Sequence, residues 1–285
     1  MDILFQQIIN GLVLGSMYAL IALGYTMVYG IIQLINFAHG EILMVGALTA
    51  WSSIGGLQAV VPGMPTWVML LLATLAGCLA STVVNVLVEK LAYRPLRNAP
   101  RLAPLITALG MSILLQALAM MIWKPNVKSF PSMLPTDPYM IGDAVITPTQ
   151  IMILVVTVLS LAVLTWVVNY TNLGRAKRAT AENPRVAALM GVKPDFIISA
   201  TFAIGAILAA IAGVMYASNY GTAQHYMGFL PGLKAFTAAV FGGIGNLAGA
   251  VVGGVLLGLI ESIGSGYLGT LTGGLLGSNY TDIFA

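Results

Sequence analysis

Long uncharged stretches, each cut by a short polar or glycine–proline break, dominate this chain. The charge-free intervals run over 3–38, 42–88, 102–123, 144–174, 196–233, 235–260 and 262–281. Apolar residues follow one another within them, without the alternation of a barrel strand. A membrane-spanning helix needs about 20 mostly apolar residues, so each interval holds one span, or two where a break divides it. The pattern predicts spans near 6–29, 42–54, 66–88, 102–123, 148–170 and 196–218, and a last one from Asn246 to about Ile263. Pro62, Gly63 and Pro65 divide the long 42–88 run. Lys234 to Gly243 is apolar but too short to cross. The reading is an all-α, polytopic helical membrane protein of about seven spans, with re-entrant or broken helices, forming one transmembrane domain over 1–285.

The breaks carry as much information as the runs. Gly30 to Glu41 is a polar interruption holding Asn36, His39, Gly40 and Glu41. It predicts a hinge at or near a membrane face, with Gly30 and Gly40 supplying backbone freedom. Glu41 is expected to cap helix 42–54, where the helix dipole favours a carboxylate. Asn36 is expected to bond backbone freed by the break. The sharper alternative is that Asn36, His39 and Glu41 contact a transported substrate. Residues 30–54 and 228–256 share a form: a glycine, a short apolar piece, a polar break (Asn246 in the second) and a glycine-bearing helix. That suggests an inverted repeat. Gly11 and Gly15, and Gly245, Gly249 and Gly253, recur at intervals of four and predict close helix packing. Pro125, Pro131, Pro135 and Pro138 argue against helix in the loop 124–147.

Composition agrees with the pattern. Hydrophobic residues make up 59% of the 285, charged residues only 7%, and the mean hydropathy is +0.94. A soluble domain carries roughly 25% charged residues. Nine of the twelve Lys and Arg lie in two short loops. The first holds Lys90, Arg94, Arg97 and Arg101, the second Arg175, Lys177, Arg178, Arg185 and Lys193. By the positive-inside rule, loops 89–101 and 171–195 face the cytoplasm and Met1 lies outside. The net charge of +3 therefore reflects membrane topology and is no sign of a nucleic-acid partner. The loop around Lys124, Lys128, Asp137 and Asp143 reads as external. Cys78 reads as a small packing residue. No basic segment precedes the first apolar run, so that run is expected to be a retained helix rather than a cleaved leader.

Chemistry is sparse. The sequence has no P-loop, no H-E-x-x-H and no Cys/His cluster, and His39 and His225 are its only histidines. No nucleophile–base set stands out, so a covalent catalyst with a metal or cofactor is not expected. Glu261 reads as solvated at a membrane face. The second basic loop differs in kind. Asn183 before Pro184 is a helix start, Val186, Leu189 and Met190 share one face, and Gly191 suits the end. A short amphipathic helix near 184–190 would either lie on anionic lipid or dock a cytoplasmic partner.

Four stretches carry a resemblance. They are Gly15–Tyr25 (GSMYALIALGY), Ile35–Glu41 (INFAHGE), the Leu173–Val192 loop, and Leu233–Gly245 (LKAFTAAVFGGIG). Together, in this order, they resemble the inner-membrane permease subunit of bacterial branched-chain amino-acid ABC importers, and among these the smaller of two related permeases. Permeases for urea and short-chain amides look similar. The resemblance implies a transport subunit of the bacterial inner membrane, paired with a second homologous permease. Two cytoplasmic ATP-binding subunits would supply ATP hydrolysis, and a periplasmic binding protein would deliver the amino acid. It implies ATPase contact through loop 171–195, where Arg175, Arg178, Glu182, Asn183, Val186, Leu189 and Gly191 are the candidates. Asn36, His39, Gly40, Glu41, Thr237 and Asn246 are the candidates for path or hinge. The family carries one more apolar span beyond the position of Ala285, so truncation is expected. A stand-alone channel or ion-coupled carrier is disfavoured, because the spans read as nearly free of ionisable groups.

Overall fold

A computed structural model describes residues 2–271 of the chain, apart from 98, 101, 136, 142 and 143. The expectations placed on Arg101, Asp143 and the run ending at Ala285 lie outside the described residues. Seven described helices are long and apolar enough to cross a membrane. They are α1 (Asp2–Ile32), α2 (His39–Val60), α3 (Thr66–Val88), α4 (Leu102–Trp123), α5 (Pro148–Tyr170), α8 (Pro194–Tyr220) and α10 (Leu247–Leu271). Three shorter helices join them: α6 (Asn172–Glu182), α7 (Pro184–Leu189) and α9 (Phe229–Phe241). The proline-rich loop after α4 contains β1 (Lys128–Ser129), β2 (Tyr139–Ile141) and β3 (Ala144–Ile146). β2 pairs with β3, and β1 pairs with β4 (Thr222–Ala223) after α8.

Burial separates an inner group of helices from an outer one. Met17 and Leu20 to Leu23 in α1 have no exposed surface, nor do His39 to Met44 in α2. A helix apolar on every side belongs in an interior. By contrast, α3, α4 and α5 expose Leu75, Leu79, Ile113, Met121, Val158 and Val163. In water that would be a large liability; in a bilayer it is a lipid- or partner-facing surface.

Missing side chains set the closest approaches. A Cβ on Gly11 would come to 2.9 Å from the Leu259 backbone, and one on Gly15 to 2.7 Å from that of Val255. Gly254 and Gly258 return the contact against Ala19 and Gly15, so α1 and α10 run antiparallel, backbone on backbone. Gly249 and Gly253 press α10 against Gly242 and Ala238 at the end of α9. Gly245 has another job. It precedes α10 with φ of 97°, as Gly243 does with 89°, so it belongs to the turn rather than to the helical stripe.

The two breaks in the helical pattern meet. After α1 ends, residues 33–38 double back along it, because His39 stacks edge-on against Tyr25, with ring centroids 4.8 Å apart. Tyr25 is about 10 Å up the helix from Ile32 at 1.5 Å per residue. α2 therefore begins inside the layer that α1 crosses. On the other side, α8 ends at Tyr220 and β4 pairs with β1. The chain then turns back so that Gly228, at the start of α9, touches Gly40, at the start of α2. α9 proceeds past Phe236, which packs on Tyr25 and Phe37. Its 13 residues span about 20 Å, short of a full crossing. Two helices of opposite direction thus start from one buried point. The counterpart of the 33–38 break is 224–228, not the Gly242–Asn246 segment that the sequence pattern suggests. That segment is a tight turn between α9 and α10.

Candidate functional site

The crossing is built from backbone contact. A Cβ on Gly40 would lie 2.5 Å from the Gly228 carbonyl and 3.1 Å from the Gly232 Cα. Gly40 and Gly30 have ordinary negative φ; the residue of the break with positive φ is Gln33, at 52°. Gly40 is required by proximity, not by dihedral angle. Gly30 lies within α1, beside the Lys177 Nζ, where a Cβ would make only ordinary contact at 3.7 Å.

The polar residues of this break hold partners on other helices. The expected cap by Glu41 does not form: the N-cap of α2 is Ala38, without a side-chain hydrogen bond. The Glu41 Oε1 instead accepts from the Ser112 hydroxyl at 3.0 Å and from the Gln116 amide at 2.7 Å, both on α4. Its side chain is fully buried. The Asn36 side chain does not bond backbone freed by the break. Its Oδ1 accepts from the Tyr93 hydroxyl at 2.7 Å, while its main-chain carbonyl accepts from the His39 N–H. Tyr93 closes a wider helical turn over Glu89–Tyr93 at the end of α3. His39 is enclosed between Tyr25 and the Gly24–Gly205 contact of α1 with α8. The hinge is therefore a packed joint between α1, α2, α4 and α8. Thr237 and Asn246 lie elsewhere, both on the exposed surface. Thr237 returns its hydroxyl to the Leu233 carbonyl, and the Asn246 Oδ1 accepts from the Ala248 and Gly249 N–H groups at the start of α10.

A second constellation gathers at the end bearing the basic loops. Arg94 and Arg97 both reach Asp195, at the start of α8, and Arg97 also pairs with Glu89. Ser199 donates to Glu89 at 2.7 Å. This network ties the first basic loop to the end of the second. Beside it opens a cleft of about 1130 Å³, lined by Gln33, Arg97, Glu182, Asn183, Arg185 and Asp195 among others. α7 stands at its edge. The Asn183 Oδ1 accepts from the Arg185 and Val186 N–H groups, Pro184 takes the first helical position, and Gly191 closes the helix with φ of 85°. Ala187 faces inward at 4% exposure. Val186 is 53% exposed, Leu189 87% and Met190 81%. A capped helix thus presents an apolar face that none of the described residues covers. α6, which the sequence reading left without structure, precedes α7. On it, Arg175 pairs with Asn172, and Arg178 caps the Val168 carbonyl at 2.6 Å. Lys177 points inward, and burial together with the neighbouring Arg178 charge lowers its ammonium pKa to about 8.

The sequence reading missed one site. Lys234 on α9 pairs with Glu261 on α10 at 2.6 Å, and Tyr18, midway along α1, donates to the same carboxylate at 2.9 Å. Glu261 is therefore not solvated at a membrane face. It lines a cavity of about 370 Å³ together with Gln7, Asn10, Gln150, Asn219 and Ser262. The signal was present: Lys234 and Glu261 are lone charges of opposite sign, each set between long apolar runs. Intramembrane charges pair with one another.

A family model described as the permease component of branched-chain amino acid transport systems matches residues 7–285. The chain is 44% identical over 271 residues to the high-affinity branched-chain amino acid transport system permease protein LivH of Escherichia coli K12, covering 93% of this chain and 87% of that one. LivH of Salmonella typhimurium is 43% identical over the same shares. BraD of Pseudomonas aeruginosa, a permease protein of the same description, is 44% identical over 286 residues, 98% of this chain and 90% of the other. No solved structure matches the chain.

Proposed function

The chain belongs to the family of branched-chain amino acid transport permeases, and from that premise we propose that it is the membrane-spanning subunit of an ATP-driven importer of leucine, isoleucine and valine. The match over nearly the whole chain, loop 171–195 included, carries the reading. The chain forms its path with a second homologous permease in the bacterial inner membrane. Two ATP-binding subunits dock from the cytoplasm, where both basic loops lie. A periplasmic binding protein delivers the amino acid to the opposite face.

Two surfaces fit these roles. The apolar face of α7, with Val186, Leu189 and Met190, is the ATPase contact. A rigid, capped helix transmits a push better than a loose loop. α6 and the Arg94–Arg97–Asp195 network relay it, since they join α7 to the ends of α3 and α8. The path runs along the exposed side of α9, which shows Leu230, Thr237 and Val240. These aliphatic and small residues suit an apolar side chain, while the Gly40–Gly228 joint lets α2 and α9 pivot. An apolar pocket separates ligands that differ by one methylene by only about 1–3 kcal/mol, so selectivity among the three amino acids rests with the binding protein.

The account can be tested at the coupling helix. Val186→Asp and Leu189→Asp place a charge where docking would desolvate it. Both variants should insert at normal levels, lose the ATPase subunits on affinity purification and lose uptake. Normal uptake by both would show that α7 is not the coupling element.

A further inference from the structure

On the face that bears the basic loops, a cleft of about 610 Å³ lies between the end of α5 and the start of α10. Its upper part holds the side chains of Lys177 and Arg178, and its wall continues down α5 through Val168 and Thr165 to Leu161. Lys177 is the unexplained residue. Its side chain is nearly enclosed, at 8% exposure, yet among the described residues its Nζ donates only to the Met27 thioether, at 3.1 Å. Among the described residues no carboxylate pairs with Lys177 or Arg178. Enclosing an ammonium without a counter-charge is costly. The arrangement therefore asks for an anion. The start of α10, at Leu247 on the same cleft, adds the positive end of a 25-residue helix.

The shape identifies the anion's chemistry. A free phosphate would engage only the cationic end and leave Leu161, Val168 and Leu247 of the same cleft uncovered. Here the cationic end, with Asn169 beside it, continues down α5 past Val168 and Thr165 to an apolar foot at Leu161, about 12 Å below Asn169 at 1.5 Å per residue. Trp166 and Tyr170, both well exposed on α5, mark this level as the membrane–water interface. We propose that the cleft binds the phosphate of an anionic phospholipid, with Lys177 and Arg178 holding the headgroup and Leu161, Val168 and Leu247 receiving the first methylenes of an acyl chain. The lipid would brace α6 against α5 and α10, directly behind the apolar face of α7.

Native mass spectrometry of the assembled transporter, released from mild detergent with added phosphatidylglycerol or phosphatidylcholine, tests this. The wild-type complex should retain phosphatidylglycerol in preference to phosphatidylcholine. Lys177→Met, which keeps the apolar stem, should weaken that retention by about fivefold or more. Arg178→Gln, on an exposed side chain, should do the same and serves alone if Lys177→Met does not assemble. Lys193→Met, an exposed cation of the same loop, should leave it unchanged. Equal retention by wild type and both cleft variants would overturn the proposal. So would an equal loss in Lys193→Met, which would mean diffuse surface attraction. Displacement of the lipid by millimolar inorganic phosphate would assign the cleft to a soluble anion instead. Loss of the ATPase subunits from the cleft variants, with lipid retained, would assign the cations to a partner's carboxylates.

Discussion

Gly40 shows how one atom can fix the architecture. Its absent side chain lets two helix starts touch, and any Cβ must displace the Gly228 carbonyl or the Gly232 backbone. Overpacking of this kind costs about 1–3 kcal/mol, so Gly40→Ala should lower the thermal midpoint of the purified protein. Gly55, helical with open space around it, is the control: Gly55→Ala should hold or raise the midpoint, since alanine is the better helix former by about 1 kcal/mol. The sequence marks Gly40 as special but misplaces the reason, because dihedral freedom and close approach leave the same glycine behind. Glu41 is a similar case. Its position before an apolar run reads as a cap, and only the fold brings Ser112 and Gln116 of α4 to it. Lys234 and Glu261 make a third. Removing one partner of a buried pair strands the other charge, at a cost of about 3–5 kcal/mol. Lys234→Met should therefore give a protein that extracts poorly from membranes, with a thermal midpoint well below wild type. A midpoint equal to wild type would show that water reaches Glu261.

At the scale of elements, most spans are legible because their ends are chemically marked. Pro148 follows the capping threonine of α5, and a charged loop follows Val88, so spans 66–88, 102–123 and 148–170 keep their boundaries in the structure. α2 begins before its apolar core, at His39, because the buried Glu41 is satisfied by Ser112 and Gln116 of α4. α6 was unreadable: its sequence, NLGRAKRATAE, has no apolar stripe of ordinary width, and it is held by Gly174 against Val168 and by Lys177 against α1. α7 was readable from its cap and spacing. Its two faces make separable predictions. Ala187→Asp, at the buried position, should reduce the amount of folded protein, whereas Val186→Asp should leave it unchanged. For α9, Thr237→Trp adds bulk to an exposed position. It should block uptake while leaving assembly and ATPase binding intact, and uptake at wild-type rates would remove α9 from the path.

For the whole molecule, the arrangement is a joint rather than a pore. α1 sits at the centre, tied to α10 by glycine contacts. α2 and α9 start back to back against it and run to opposite faces. The loops that would receive force gather at one end, linked by Arg94, Arg97 and Asp195. Two carboxylates buried among the helices are held by the protein, Glu261 by Lys234 and Tyr18, and Glu41 by Ser112 and Gln116 of α4. The most direct measurement is uptake of labelled leucine into proteoliposomes holding this chain, its partner permease and the ATPase subunits, with ATP inside and the binding protein outside. The account predicts accumulation that requires ATP and the binding protein, competition by isoleucine and valine, and no competition by urea. Leucine equilibration without ATPase subunits, or competition by urea where isoleucine and valine have no effect, would contradict it.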